Sequence, residues 1–129
     1  MRKFGGIVFL LLLAAGCGKG STADWIAKLK SPEPLTRMQA VHTLLERKGE
    51  AEQVVPALVE ALQDENVYVR RDAARALGAF GTEAPSAVPA LQAAQRDREA
   101  SVRSAAAAGL ERIDPALKTK TPRPKARGR

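Results

Sequence analysis

Between Asp64 and Gly81 (DENVYVRRDAARALGAFG) the apolar side chains Val69, Ala73, Ala76, Leu77 and Phe80 recur at a spacing that puts them on one face of a helix. Asn66 stands where an N-cap side chain accepts the first free amide protons, and Gly81 where a left-handed residue ends a helix. One helix of this size cannot shelter its own stripe, so it needs partners. The chain supplies them by repetition. Arg37, Arg70 and Arg103 stand 33 residues apart, and Leu44, Leu77 and Leu110 keep the same step. So do Ala40, Ala73 and Ala106, and upstream Trp25, Leu58 and Leu91; Pro56 and Pro89 are also 33 apart. A fixed period of this length, with two short helical patterns per unit, predicts an all-α fold: a short α-solenoid of about three helical hairpins.

The first hairpin is expected to pair Ala23–Lys30 with Pro34–Arg47, the second Val55–Gln63 with Val67–Phe80, and the third Val88–Arg96 with Ala100–Ile113. Pro56 and Pro89 are placed near a first helical position, where the missing amide costs nothing, and Pro34 does the same for a second helix. Asp114-Pro115 stops the last helix. Three units are near the minimum for a stack, and its ends must tolerate water. Gln92 and Gln95 replace Val59 and Leu62 in the third unit, while the aromatic Trp25 is expected to cover the first as core or cap.

Ahead of the repeats, Arg2 and Lys3 precede the unbroken apolar run Ile7–Ala15, and small residues lead to Cys17, the only cysteine. The run is too short to cross a ~30 Å hydrocarbon layer comfortably but fits the apolar region of an export signal. Leu13-Ala14-Ala15-Gly16-Cys17 resembles the bacterial lipobox, with Ala14 where leucine is usual. The resemblance implies cleavage before Cys17 and diacylglyceryl modification of its sulfur. Residue 18 is glycine rather than the aspartate that enterobacterial rules use for inner-membrane retention, which favours the outer membrane. The expected organisation is a signal peptide over 1–16, a lipidated cysteine and tether with nothing to bury over 17–22, repeats over 23–116, and a disordered basic tail over 117–129.

The net charge of +7 is distributed unevenly. Cys17–Leu117 carries 13 Lys+Arg against 14 Asp+Glu, whereas Lys118–Arg129 carries six basic residues and no acid. The repeats are therefore near neutrality and the basicity belongs to the tail. Its Thr, Pro, Ala and Gly spacers cannot bury enough surface to fold alone.

The units resemble HEAT repeats, in particular the short kind named after phycocyanobilin-lyase proteins. VPALVEALQDENVYVRRDAARALGAFG carries that pattern in full and VPALQAAQRDREASVRSAAAAGLERI most of it. The resemblance implies a hydrogen-bonded ladder in which an aspartate ending the first helix and an arginine in the second join neighbouring units. Here those residues are Asp64 and Asp97 with Arg70 and Arg103; Ser31 beside Arg37 leaves the first rung incomplete. Their implied role is structural.

The second helices should line one face of the stack, concave and partner-binding in HEAT proteins. Arg71 and Arg75 point from the middle helix away from the core, with Met38 and His42 before them and Ser104 and Ala108 after. Gln39 and Asp72 flank this candidate face. Two neighbouring arginines repel unless an acid or a partner lies near. The chemical inventory is thin: His42 is the only histidine, and there is no zinc-type cysteine spacing or Gly-rich phosphate loop. The expectation is a protein that is not an enzyme, with no catalytic residue, metal or cofactor. It would be a lipid-anchored interaction scaffold in the bacterial cell envelope, facing the periplasm and held by lipid on Cys17. Its partner would be an unidentified envelope protein, with the tail available to an anionic envelope surface. One alternative is an accessory or lyase-type enzyme of the phycocyanobilin-lyase HEAT-like family. Another is a nucleic-acid binder using the tail, which requires a misread signal peptide; no nucleic acid is expected.

Overall fold

A computed structural model describes residues 20–117, so the apolar leader, Cys17 and the tail Lys118–Arg129 lie outside the described residues. Six α-helices follow one another among the described residues: α1 Thr22–Lys28, α2 Pro34–Leu45, α3 Ala51–Ala61, α4 Val67–Phe80, α5 Val88–Ala94 and α6 Ala100–Ile113. Short 3-10 turns at Lys48–Glu50, Gly81–Glu83, Pro85–Ala87 and Pro115–Leu117 link or close them. No described helix is long and apolar enough to cross a membrane. Consecutive helices form three hairpins, and the second helices α2, α4 and α6 pack side by side as the main layer. The most extensive interface is α4 on α6.

The 33-residue register is also the register of the core. Leu44, Leu77 and Leu110 are buried in the second helices, Leu58 and Leu91 in the first, with Trp25 at the corresponding place in α1. Trp25 thus caps the first unit, and Lys28 Nζ lies 3.7 Å from the centre of its ring. Asn66 caps α4 as its side chain suggested, its Oδ1 accepting from the amides of Tyr68 (2.9 Å) and Val69 (3.3 Å). Gly81 ends that helix with φ +56°, a conformation costly to any residue with a Cβ. Asp114 closes α6 in extended conformation.

Helices α1, α2, α3 and α5 each end two residues before the expected position, at Lys28, Leu45, Ala61 and Ala94, and two further differences are larger. Helix α3 begins at Ala51, so Pro56 lies inside it rather than near its start, while Pro89 does occupy the opening turn of α5. Ala51, Glu52 and Gln53 are good helix formers that carry the helix in front of Pro56 at the cost of one amide–carbonyl bond. The equivalent stretch before Pro89 holds Pro85, and it winds as a 3-10 turn instead. Second, the end of the tether is part of the fold. Ser21 and Asp24 form a capping box, Asp24 amide to Ser21 Oγ at 3.2 Å and Ser21 amide to Asp24 Oδ2 at 2.8 Å. Thr22 is buried, and Arg47 donates to its hydroxyl (3.0 Å) and to the Gly20 carbonyl. A bulky partner 25 residues away, invisible in the local pattern GKGST, draws these small polar residues into the domain.

Candidate functional site

The ladder is real, but its direction differs from the sequence reading. Arg37 Nε and Nη2 donate to the Asp64 carboxylate of the next unit at 2.8 and 3.1 Å. Arg70 repeats the contact on Asp97 at 2.9 and 3.2 Å. Each arginine spends its other nitrogen, Nη1, on the loop of its own unit: Arg37 on the Ser31 and Pro32 carbonyls (2.8 and 3.2 Å), Arg70 on those of Asp64 and Glu65 (2.8 and 3.1 Å). Both arginines are buried, and the fork-to-carboxylate pairing suits the planar guanidinium. The Arg70 bonds hold the Asp97 carboxyl below its ordinary value against the opposing effect of desolvation.

The first unit therefore has a complete rung, Arg37 with Asp64, and Ser31 is no defect. A carboxylate at 31 would serve an arginine of a preceding unit. Ser31 keeps only the local task, its Oγ accepting the Glu33 amide (3.2 Å) as Asp64 accepts Asn66 (2.8 Å) and Asp97 accepts Glu99 (2.9 Å). The incomplete rung is the last: Arg103 Nη1 binds the Asp97 and Arg98 carbonyls (2.7 and 3.0 Å), and its remaining fork has no acceptor among the described residues.

The face formed by α2, α4 and α6 is a grid three residues deep. Along α2 it shows Leu35, Met38 and His42; along α4 Tyr68, Arg71 and Arg75; along α6 Ser101, Ser104 and Ala108. Leu35 is 77% exposed and Tyr68 53%, the two large apolar side chains most open to water among the described residues. They share one register position, a signal available in the sequence but hidden because both lie off the core stripe. Arg71 stacks over the Tyr68 ring at 5.2 Å. Met38 is half-buried against the core; Gln39, His42 and Ser104 are exposed.

Asp72 does not flank this face as an exposed residue. It is buried at 6% exposure and anchors the face: its carboxylate meets Arg71 Nε at 2.9 Å, His42 Nε2 at 3.1 Å and, more distantly, Arg75 Nη1 at 3.9 Å. The repulsion expected between Arg71 and Arg75 is relieved inside the chain, so it is no argument for a partner. His42, with no second general acid or base beside it except this shared carboxylate, is a surface residue bridging α2 to α4. Between α4 and α6 a groove of about 470 Å³ opens, with Arg75 and Arg112 on its walls and Gly78, Ser104, Ala108 and Gly109 along its base. Gly78 and Gly109 let the two backbones nearly touch: a Cβ on Gly78 would lie 2.7 Å from the Gly109 Cα.

The sequence profile of a family described as HEAT repeats matches residues 22–111. No curated protein matches the chain. Among solved structures it is similar to one chain of the complex of CpcE and CpcF of phycocyanin lyase from Nostoc sp., with 34% identity and a TM-score of 0.65. The match covers 72% of this chain and 37% of that one, so the present chain spans little more than a third of the protein it resembles.

Proposed function

We propose, from the premise that this chain belongs to the HEAT-repeat family, that it is a lipid-anchored interaction scaffold of the bacterial cell envelope. The helical-repeat scaffold is the part the fold carries by itself; the anchor and the compartment come from the leader and Cys17. The observation that supports binding over chemistry is how the polar groups are spent. Arg37, Arg70, Asp64, Asp97 and Asp72 all serve contacts between units, while the in-register face keeps Leu35 and Tyr68 open to solvent. We assign the chain no catalytic step of its own. Its partner is an envelope protein meeting the face around Tyr68 and Arg71.

Cys17 lies three residues before Gly20, whose carbonyl Arg47 grips, so an acyl anchor would meet the domain at its first unit. More than one acyl chain gives stable membrane attachment where one does not, at ~0.8 kcal/mol per buried CH₂. Cys17→Ser should move the protein from the membrane to the soluble fraction or stall its processing. An unacylated mature N-terminus, with the variant still sedimenting with membranes, would refute the anchor. The tail Lys118–Arg129 is proposed to add an electrostatic contact of about 1 kcal/mol per basic residue near an anionic surface. Deleting it should weaken binding of the unlipidated protein to anionic vesicles, most at low salt.

The likeness to a chain of the CpcE–CpcF complex favours a second reading, an accessory subunit acting beside a lyase-type partner. A pigment or other chromophore retained through purification would support it over the anchored scaffold.

A further inference from the structure

We propose that the groove between α4 and α6 binds a glutamate or aspartate side chain from an acidic segment of a partner protein, held between Arg75 and Arg112. The inference rests on the scaffold reading and adds the chemistry by which the partner is recognised. The two junctions between second helices, compared at the 33-residue step, carry it. At the first junction Asp72 supplies the carboxylate of the joint. It is buried, and it takes His42 Nε2 from α2 at 3.1 Å and Arg71 Nε at 2.9 Å. At the second junction Arg75 stands in the place of His42, and Ala105 in the place of Asp72. A permanent cation has replaced the histidine, while the acid facing it has become a methyl group. Tyr68 and Arg71 likewise become Ser101 and Ser104, and Leu45 becomes Gly78. The room those larger side chains fill at the first junction is therefore open at the second.

The cations on the groove walls are short of acceptors. Among the described residues Arg75 comes no nearer to a carboxylate than 3.9 Å, and that carboxylate, Asp72, is already engaged by Arg71 and His42. Arg112 is exposed and pairs with no acid among the described residues. No described acid lines the groove, although Cys17–Leu117 as a whole is nearly neutral. Two guanidinium groups above a base of Gly78, Ala105 and Ala108 suit a carboxylate carried on an aliphatic stem. A lipid phosphate would meet the same cations but has nothing to lay on that base. The groove also continues the exposed face: Arg75 lies one helical turn beyond Arg71 on α4. A segment crossing Tyr68 and Arg71 thus brings its acid to Arg75.

Ala105→Asp in the full chain restores the acid internally and should occupy the site. This variant should melt about 4 °C above Ala105→Asn, and Arg75→Gln with Arg112→Gln in both chains should close the gap. Equal melting of the aspartate and asparagine chains, or a gap that survives loss of both arginines, overturns the proposal. Binding is read on an array of ten-residue peptides with glutamate, aspartate, glutamine or asparagine at the centre and varied flanks. The full chain should favour the acids over their amides about tenfold, the worth of one charge-assisted hydrogen bond, and Ala105→Asp should abolish the preference. If binding to phosphatidylglycerol vesicles falls with the two arginine substitutions while the peptides show no acid preference, the groove reads lipid and the proposal fails. Dimerisation abolished by the same substitutions overturns it in favour of a second copy. Peptides bound without an acid preference, yet lost with Tyr68→Ala, overturn the groove and leave the scaffold reading standing. An array that binds nothing defeats both.

Discussion

Gly78→Ala sets two sizeable effects against each other, and the structure decides between them. Gly78 is buried in the interior of α4, fourteen residues long, where alanine improves helix propensity by about 1 kcal/mol. On an open helix that gain would appear as added stability. Here the new methyl would lie 2.7 Å from the Gly109 Cα, and the obstacle is backbone, which has no rotamer to give. Helices α4 and α6 must part by the better part of an ångström along the most extensive interface of the domain. Overpacking of this kind costs about 1–3 kcal/mol, and we expect the upper part of that range because the strain falls on two main chains. The net loss should be about 1–2 kcal/mol, or roughly 4–16 °C in Tm for a domain of this size. Urea unfolding of both proteins at constant temperature measures it, with an unchanged slope showing that the two unfold over the same surface. Gly49→Ala is the internal control: a Cβ there meets nothing within 4 Å, and its φ is not positive, so it should be neutral or stabilising by up to about 1 kcal/mol. If Gly78→Ala is as stable as the parent or more so, the close crossing of α4 and α6 is wrong.

Leu77→Ala, in a fully buried side chain at the middle of the stack, should cost about 2–5 kcal/mol; unchanged melting would refute the helix phase. Asn66→Ala removes the acceptor of two α4 amides and should cost about 1 kcal/mol, read from the urea midpoint. The Asp97 carboxyl is held below its unfolded value of about 3.9, so its stabilisation is present above that pH and is lost as pH falls through the lower folded value. The stability advantage of the parent over Asp97→Asn should accordingly be large at pH 7 and shrink below about pH 4; a gap that stays constant to pH 3 would mean the rung is not ionic.

The helical hairpins were legible because period and amphipathic phase are local quantities. Val67–Phe80 and Ala100–Ile113 run between the residues their patterns mark. Features set by residues far apart in the chain were not. The pairing of Arg37 with Asp64 spans 27 positions, and reading each arginine with the acid of its own unit assigns the rungs one step out of place. Likewise nothing around Asp72 marks it as buried, since its neighbours Arg71 and Arg75 are charged; its burial follows from α2 lying across it and from His42 reaching over. Pro56 misled because proline near a helix start is the common case, whereas the five residues before it here, Ala51 to Val55, are helical. The shared register position of Leu35 and Tyr68 is written in the sequence, but the core stripe that the periodicity marks passes them by.

Unequal joints follow from the pair Gly78 and Gly109. At the junction of the first two units the corresponding residues are Leu45 and Ala76, so a branched side chain stands where the second junction has backbone against backbone. Viewed as a spring, the domain then has one stiff coil, between the second and third units, and one compliant coil, between the first and second. Bending energy stored under load collects in the compliant one. A load on the first unit is expected to rock the first hairpin on α4 before it parts the last two units, whose second helices share the larger interface.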